Sequence, residues 1–533
     1  VNISRRAMLQ SSGAAALTAT GLLLPSRAGA SSLGLLPPAP GGSVPGSLTG
    51  LLPDRPQISH GTAVGDVRAD GALIWSRSDR PAHMIVEAAN NPEFRGAKTF
   101  RSPAPLTPET DGTGRLRIVG LDSGSTVHYR VSLQDAETGA TSEPTSGTFQ
   151  TAPTEAGDIR LHWSGDIVGQ GWGINPDVGG MTGWAAMADR SPNLFLHSGD
   201  TVYADVPVEE TVTLPDGRVW RNITSEAKSK PAETLDEYRG QHRYNLMDQN
   251  YLRFNSSVAQ IVQWDDHETL NNWYPGEILD DDKYTEKDVN TLAARAYQAF
   301  HEWQPLDEKA AVDGRVYRKV PYGPLLDIFV LDMRTYKSDN RTAGDPNPNG
   351  SQILGEQQKQ WLINEVTASR ATWKIIAADL PLGIAVPDGD TGDMEASANG
   401  HPGAPGAREV EIAEVLHGLK DVKNIVWLTA DVHYTAANHY SPDRAAYQDF
   451  SPFWEFVSGP LHAGASPERD LDGTFGPETV YVHAAAKDRS NSSPLDDFQH
   501  FGEVDIDGES RELTVRLMNT KGAELFTKTL PAE

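Results

Sequence analysis

The sequence predicts an α/β (α+β) chain: a small antiparallel β-sandwich of the fibronectin or immunoglobulin type, followed by a large domain in which strands alternate with helices. Three observations predict it. Between Ile58 and about Thr151, short stretches of alternating apolar and polar residues recur between Gly, Pro and Asp clusters, as half-buried antiparallel strands do. Beyond Pro153 the apolar runs become continuous and alternate with stretches of helical period, the signature of strands buried on both faces and their crossovers. The 533 residues also exceed one ordinary domain, since domains hold roughly 100–200 residues.

Taken in chain order, Ser4-Arg5-Arg6-Ala7-Met8-Leu9 precedes a weakly apolar stretch to Leu24, and Ala28-Gly29-Ala30 supplies small residues for cleavage. Residues 1–30 therefore read as a twin-arginine signal peptide, with the export machinery as partner and a secreted, extracytoplasmic location. Gln10, Ser11, Ser12 and Gly13 interrupt the stretch and Pro25 ends it, short of the roughly 20 apolar residues a membrane span needs, so no stable membrane anchor is expected. Residues 31–52, rich in Gly, Pro and Ser, read as a flexible linker. Residues 53–152 hold the predicted sandwich, with strands at Gly71 to Ser76, His83 to Ala88, Arg115 to Val119 and Val127 to Ser132. Residues 153–533 form the predicted catalytic domain. Its strands are Ile159 to Ser164, Leu194 to His197, Val258 to Gln263, Leu326 to Leu331, Trp373 to Ala377 and Ile425 to Leu428, with helices at Thr291 to Trp303 and Glu356 to Ala368. Alternation returns from Phe501 to Leu530, so the last strands are expected to close a sheet edge.

Composition excludes several functions. A formal charge of −27 leaves no basic surface for nucleic-acid phosphates. With no cysteine, disulfides and thiolate metal sites are excluded, and any metal must be held by oxygen and nitrogen. The sequence also has no Gly-x-Ser-x-Gly elbow between a strand and a helix, which removes support for serine hydrolase chemistry.

Four strands end in metal-capable residues: Asp166; Asp200 with Tyr203; Asp265-Asp266-His267-Glu268 with Asn271 and Asn272; and Asp431 with His433. One aspartate after a strand is ordinarily a turn former or helix cap. Four such ends can converge, because ligands collect at the carboxyl ends of strands in α/β sheets. These donors suit calcium, manganese, zinc or iron(III), and a bridging carboxylate such as Asp200 can hold two cations about 3.5–4 Å apart, where they clamp a phosphoryl group.

This ordered set, together with Leu331-Asp332-Met333-Arg334, Leu354-Gly355-Glu356-Gln357 and Glu455-Phe456-Val457, resembles the calcineurin-like metallophosphoesterases. More narrowly it resembles the PhoD-type alkaline phosphatases and phosphodiesterases, a family that includes a calcium-responsive streptomycete phospholipase D. The resemblance implies a metallophosphoesterase core of two packed mixed β-sheets flanked by helices. It implies hydrolysis of phosphate mono- and diesters by metal-activated hydroxide, with phospholipid head groups or teichoic-acid-like polymers among the substrates. It further implies Asp166, Asp200, Tyr203 and His433 as ligands of Fe(3+), and Asp200, Asn271 and Asp431 as ligands of Ca(2+). The general metallophosphoesterase pattern favours Asp266 over Asn271. Gly169 stands where the family pattern has a cysteine ligand, which keeps Zn(2+) and Mn(2+) open. His267 is the candidate for protonating the leaving group or holding phosphate. Arg334 is expected either to bind a phosphate oxygen bidentately or to pair with Asp332. Trp172, Trp264 and Trp273 are expected in the core rather than the pocket. Two other readings are a phospholipase D acting through the same site and a secreted calcium- or carbohydrate-binding protein.

Overall fold

In a computed structural model, residues 54–533 are described except for 308, 310 and 312–314; the expected signal peptide and linker lie outside the described residues. Two large sheets face each other. The first has nine strands in the order Glu524–Leu530, Leu513–Asn519, His500–Ile506, Ile159–Ser164, Leu194–Ser198, Ala259–Gln263, Ile58–Arg68, Gly71–Ser78 and Thr113–Val119. The second has seven, in the order Arg318–Tyr322, Leu326–Val330, Trp373–Ala377, Ile425–Thr429, Phe453–Val457, Thr435–Tyr440 and Pro477–His483. Parallel pairs at the centre of each sheet bring the carboxyl ends of Ile159–Ser164, Leu194–Ser198 and Ala259–Gln263 to one edge, and those of Leu326–Val330, Trp373–Ala377 and Ile425–Thr429 to one edge.

The strand residues explain this layering. Their side chains alternate between faces, and both faces are apolar. Leu161, Leu194, Leu196 and Ile261 share one core with Ile328, Ile375, Ala377 and Val426 from the other sheet. The intervening residues face outward: Phe195 packs with the helices Thr182–Ala188 and Gln249–Ser257, and Val262 with Val289–Trp303. On the other side Phe329, Ile376 and Trp427 meet Gly355–Ala368 and Glu409–Leu419. Gln263 ties the carboxyl ends together, its amide donating to Leu331 O at 3.0 Å and Ala377 O at 3.1 Å.

The N-terminal strands depart from a free-standing sandwich. Ala82–Ala89, Lys98–Arg101, Thr126–Asp135 and Thr145–Gln150 form a four-stranded antiparallel sheet, whereas Ile58–Arg68 pairs in parallel with Ala259–Gln263, so that the first layer continues the catalytic sheet. Local alternation signals a strand but not its lateral neighbour, which is why the sequence did not reveal the junction. The three C-terminal strands close the opposite edge. No helix among the described residues is long and apolar enough to cross a membrane.

Burial under this fold makes one pH effect. His197 is 1% exposed among Trp184 and Phe195, and burial depresses its pKa from the usual 6.5 to about 3. The unfolded chain therefore binds the extra proton between those values, and stability falls as pH drops below about 6.5. At pH 5 the penalty from this ring is about 2 kcal/mol. His197→Phe is expected to reduce the loss of stability between pH 7 and pH 5 by that amount in urea unfolding; an unchanged difference would contradict the assignment.

Candidate metal centre

Each predicted strand end turns sharply into the site. Asp166, Asp200, Asp431 and His433 all have positive φ, between 50° and 65°, a left-handed conformation unfavourable for residues with a Cβ and characteristic of functional sites. Gly199 allows one such turn, because a Cβ there would lie 2.4 Å from Asp265 Cβ. Glu268 then staples two turns together: Oε1 accepts from Thr201 N–H at 2.6 Å and Oε2 from Asp265 N–H at 2.9 Å.

The carboxylates and histidines meet in three overlapping groups. Asp166, Asp200 and His433 form one, Asp200, Asp266 and His267 a second, and Asp265, Asp266 and Asp431 a third, with the potential ligand atoms of each within 4.8 Å of one another. Asp200 and Asp266 are each shared by two groups. Tyr203 joins the first, its hydroxyl 2.8 Å from His433 Nε2 and 3.4 Å from Asp166 Oδ1.

Electrostatics explains why this cluster calls for cations. Burial first, and then Asp265, raises the Asp166 pKa well above the carboxylate range; burial and Asp266 do the same to Asp200, and burial and Asp265 to Asp431. Buried Asp166 Oδ2, Asp265 Oδ2 and Asp266 Oδ1 have no hydrogen-bond partner among the described residues, although buried acceptors are ordinarily satisfied. Bound cations would satisfy these oxygens and reverse the repulsion.

His433 is prepared as a neutral ligand. Nδ1 donates to Gly464 O at 2.6 Å, leaving the lone pair on Nε2, and burial lowers its pKa to about 4. His267 is prepared as the opposite. Its ring stacks on Tyr203 with centroids 4.0 Å apart, and Nδ1 lies 2.7 Å from Asp205 Oδ1. Burial lowers its pKa, but Asp205 and then Asp266 outweigh it and raise the value to about 10.

Two of the predicted site residues lie outside the three groups. Arg334 is not placed to receive a phosphate oxygen. Its side chain is 0% exposed and lies among Asp265, Glu395, Asp379 and Asp431, while Asp332 only accepts its backbone N–H at 3.2 Å. The residue neutralises the floor of the site, and Lys337, 3.0 Å from Glu395, assists it. Asn271 is exposed, and it is its backbone N–H that reaches Asp205 Oδ2 at 2.9 Å; Asp266, by contrast, belongs to two of the three groups. Trp172, Trp264 and Trp273 are all buried in apolar clusters.

Sequence reading missed Asp205, Asp379, Glu395 and Lys337. Asp205 lies five residues beyond Asp200, within reach of a strand-end search, whereas Asp379 alone follows the strand Trp373–Ala377. Glu395 and Lys337 sit in loops whose paths depend on tertiary structure. At Gly169 a Cβ would lie 2.7 Å from Tyr203 Cζ and 2.7 Å from Ala463 Cβ, so the Tyr203 ring closes the space where a side chain would begin.

Comparison with known proteins finds two matching family models. The family model for PhoD-like phosphatases matches residues 161–517, and that for the N-terminal domain of PhoD-like phosphatases matches residues 48–153. Alkaline phosphatase D of Bacillus subtilis (strain 168) is 27% identical over 431 residues, spanning 76% of this chain and 69% of that protein. Two solved structures share the fold. A structure of PhoD has a TM-score of 0.66 at 19% identity, covering 90% of this chain and 91% of its own. A purple acid phosphatase from yellow lupin (Lupinus luteus) seeds has a TM-score of 0.56 at 12% identity, covering 90% and 75%.

Proposed function

Because the chain belongs to the PhoD-like phosphatase family, we propose that it hydrolyses phosphate mono- and diesters outside the cytoplasm, using cations held by Asp166, Asp200, Tyr203 and His433 and by Asp200, Asp265, Asp266 and Asp431, with the protonated His267 beside them rather than among the ligands. The observation that supports this reading is the sharing of Asp200 and Asp266 between neighbouring groups, which would set cation positions side by side as phosphoryl clamping requires.

The donor chemistry fits a mixed centre. Asp166, Asp200, Tyr203 and His433 offer three oxygens and one nitrogen, with a phenol that only a hard, highly charged ion would hold as phenolate, so this position suits iron(III). Asp265, Asp266 and Asp431 offer oxygen alone, which suits calcium. When bound, such cations supply Lewis-acid charge to the phosphoryl group and acidify the attacking water. The chain's own residues do the rest. Asp200 and Asp266 would be the residues shared between cation positions, and Glu268 holds the Asp200 and Asp265 turns in register. His267 carries a proton for the leaving oxygen. Asp205 orients its ring through Nδ1 and, with Asp266, keeps the ring protonated, so the proton is held ready at Nε2 for the leaving oxygen. Ser4-Arg5-Arg6 and the stretch that follows support export.

The test is turnover of aryl phosphate mono- and diesters before and after chelation. Chelator should abolish both activities, and the restoring cation should return them together. Hydrolysis that continues at full rate in excess chelator would contradict the reading.

A further inference from the structure

We propose that the side-chain amide of Gln170 is a fixed hydrogen-bond donor to a phosphoryl oxygen of the substrate, an inference that rests on the phosphoesterase reading above. Gln170 has φ of 52° and is half-buried, whereas His433, Asp166, Asp200 and Tyr203 are each less than 10% exposed. It therefore stands at the rim of the first cation position, on the side that substrate can approach.

Its amide has one orientation. Oε1 accepts from Gly464 N–H at 3.0 Å, and exchanging the two ends would set an NH₂ against that N–H, donor facing donor. Nε2 consequently points at His433 Nε2, 3.3 Å away. That nitrogen carries a lone pair, since Nδ1 of the same ring donates to Gly464 O. A single residue, Gly464, thus sets both the amide and the imidazole. Asn491 braces the rim: Nδ2 donates to Gln170 O at 3.2 Å, and Oδ1 accepts from Trp172 Nε1 at 2.6 Å.

The consequence lies in what happens to the acceptor. His433 Nε2 has one lone pair, towards which the Tyr203 hydroxyl at 2.8 Å and the Gln170 amide at 3.3 Å both point; a cation held there would take up that lone pair and leave the amide N–H without an acceptor at the rim of the site. Because Oε1 is pinned, Nε2 does not turn away. A preset donor of this kind stabilises a developing oxyanion without reorganisation, and a neutral one brings no further carboxylate to a site already crowded with negative charge.

Gln170→Glu and Gln170→Ala separate this role from a bracing one. Glutamate retains an acceptor for Gly464 N–H but sets a negative charge in place of the donor, while alanine removes both contacts. Metal content, the dissociation constant of inorganic phosphate, and kcat and KM for an aryl phosphate are measured on both variants. Both are expected to keep wild-type metal content while phosphate affinity and kcat/KM fall by about 10–100-fold, with glutamate the worse of the two. Wild-type phosphate affinity in both variants at equal metal content would overturn the proposal. So would a Gln170→Glu variant that behaves as wild type while Gln170→Ala loses metal, because the residue would then only brace the turn. A wild-type chain that binds neither metal nor phosphate would instead overturn the phosphoesterase reading, and this proposal with it.

Discussion

Asp200→Ala is expected to lower kcat/KM for an aryl phosphate by about 10³-fold or more, because on the proposed reading one carboxylate would serve two cation positions and each cation would contribute several kcal/mol to the reaction. Asp200 is a member of two of the three candidate groups, so its loss would disable both rather than weaken one. The fold should survive. In chelator the variant should unfold no earlier than the wild type, since burial and the neighbouring Asp266 and Asp265 make the ionised Asp200 carboxylate unfavourable without cations. Activity within tenfold of wild type would refute the bridging role, and unfolding at lower denaturant in chelator would show that Asp200 is a structural group.

Arg334→Leu is expected to have the largest effect on stability, a loss of about 3–5 kcal/mol. The guanidinium lies among Asp265, Asp379, Glu395 and Asp431 with its side chain fully buried. Leucine would leave those carboxylates facing one another with only Lys337 beside Glu395. Arg334→Lys should recover only part of the loss, because one ammonium cannot reach partners that a planar fork spans. Urea unfolding of the three proteins in chelator measures this directly. A leucine variant as stable as the wild type would mean that these carboxylates are protonated and need no counter-charge.

The limits of sequence reading follow from the same residues. Continuous apolar runs such as Leu194–Ser198 and Ile425–Thr429 marked their strands closely because strands buried on both faces leave no other composition. The candidate ligands Asp166, Asp200, Asp266, Asp431 and His433 were legible because a strand end followed directly by carboxylate or imidazole is a local pattern. The surroundings of Arg334 stayed open for a complementary reason. An arginine beside a strand end looks the same whether it faces substrate or counters buried charge, and only the positions of Asp265, Asp379 and Glu395, from three separate stretches, decide between them. The helix Leu235–Asn245 went unseen because its charged and polar residues mask the apolar period, although the capping box of Thr234 and Glu237 marks its start. The joining of Ile58–Arg68 to Ala259–Gln263 spans almost 200 residues and leaves no local trace.

Elemental analysis of the chain, purified without added cations and compared with a chelated sample, bears most directly on whether these side chains surround shared ions. More than one equivalent of bound cation per chain, lost together with turnover on chelation, is the predicted result. A chain that carries no metal and still hydrolyses phosphate esters would contradict it.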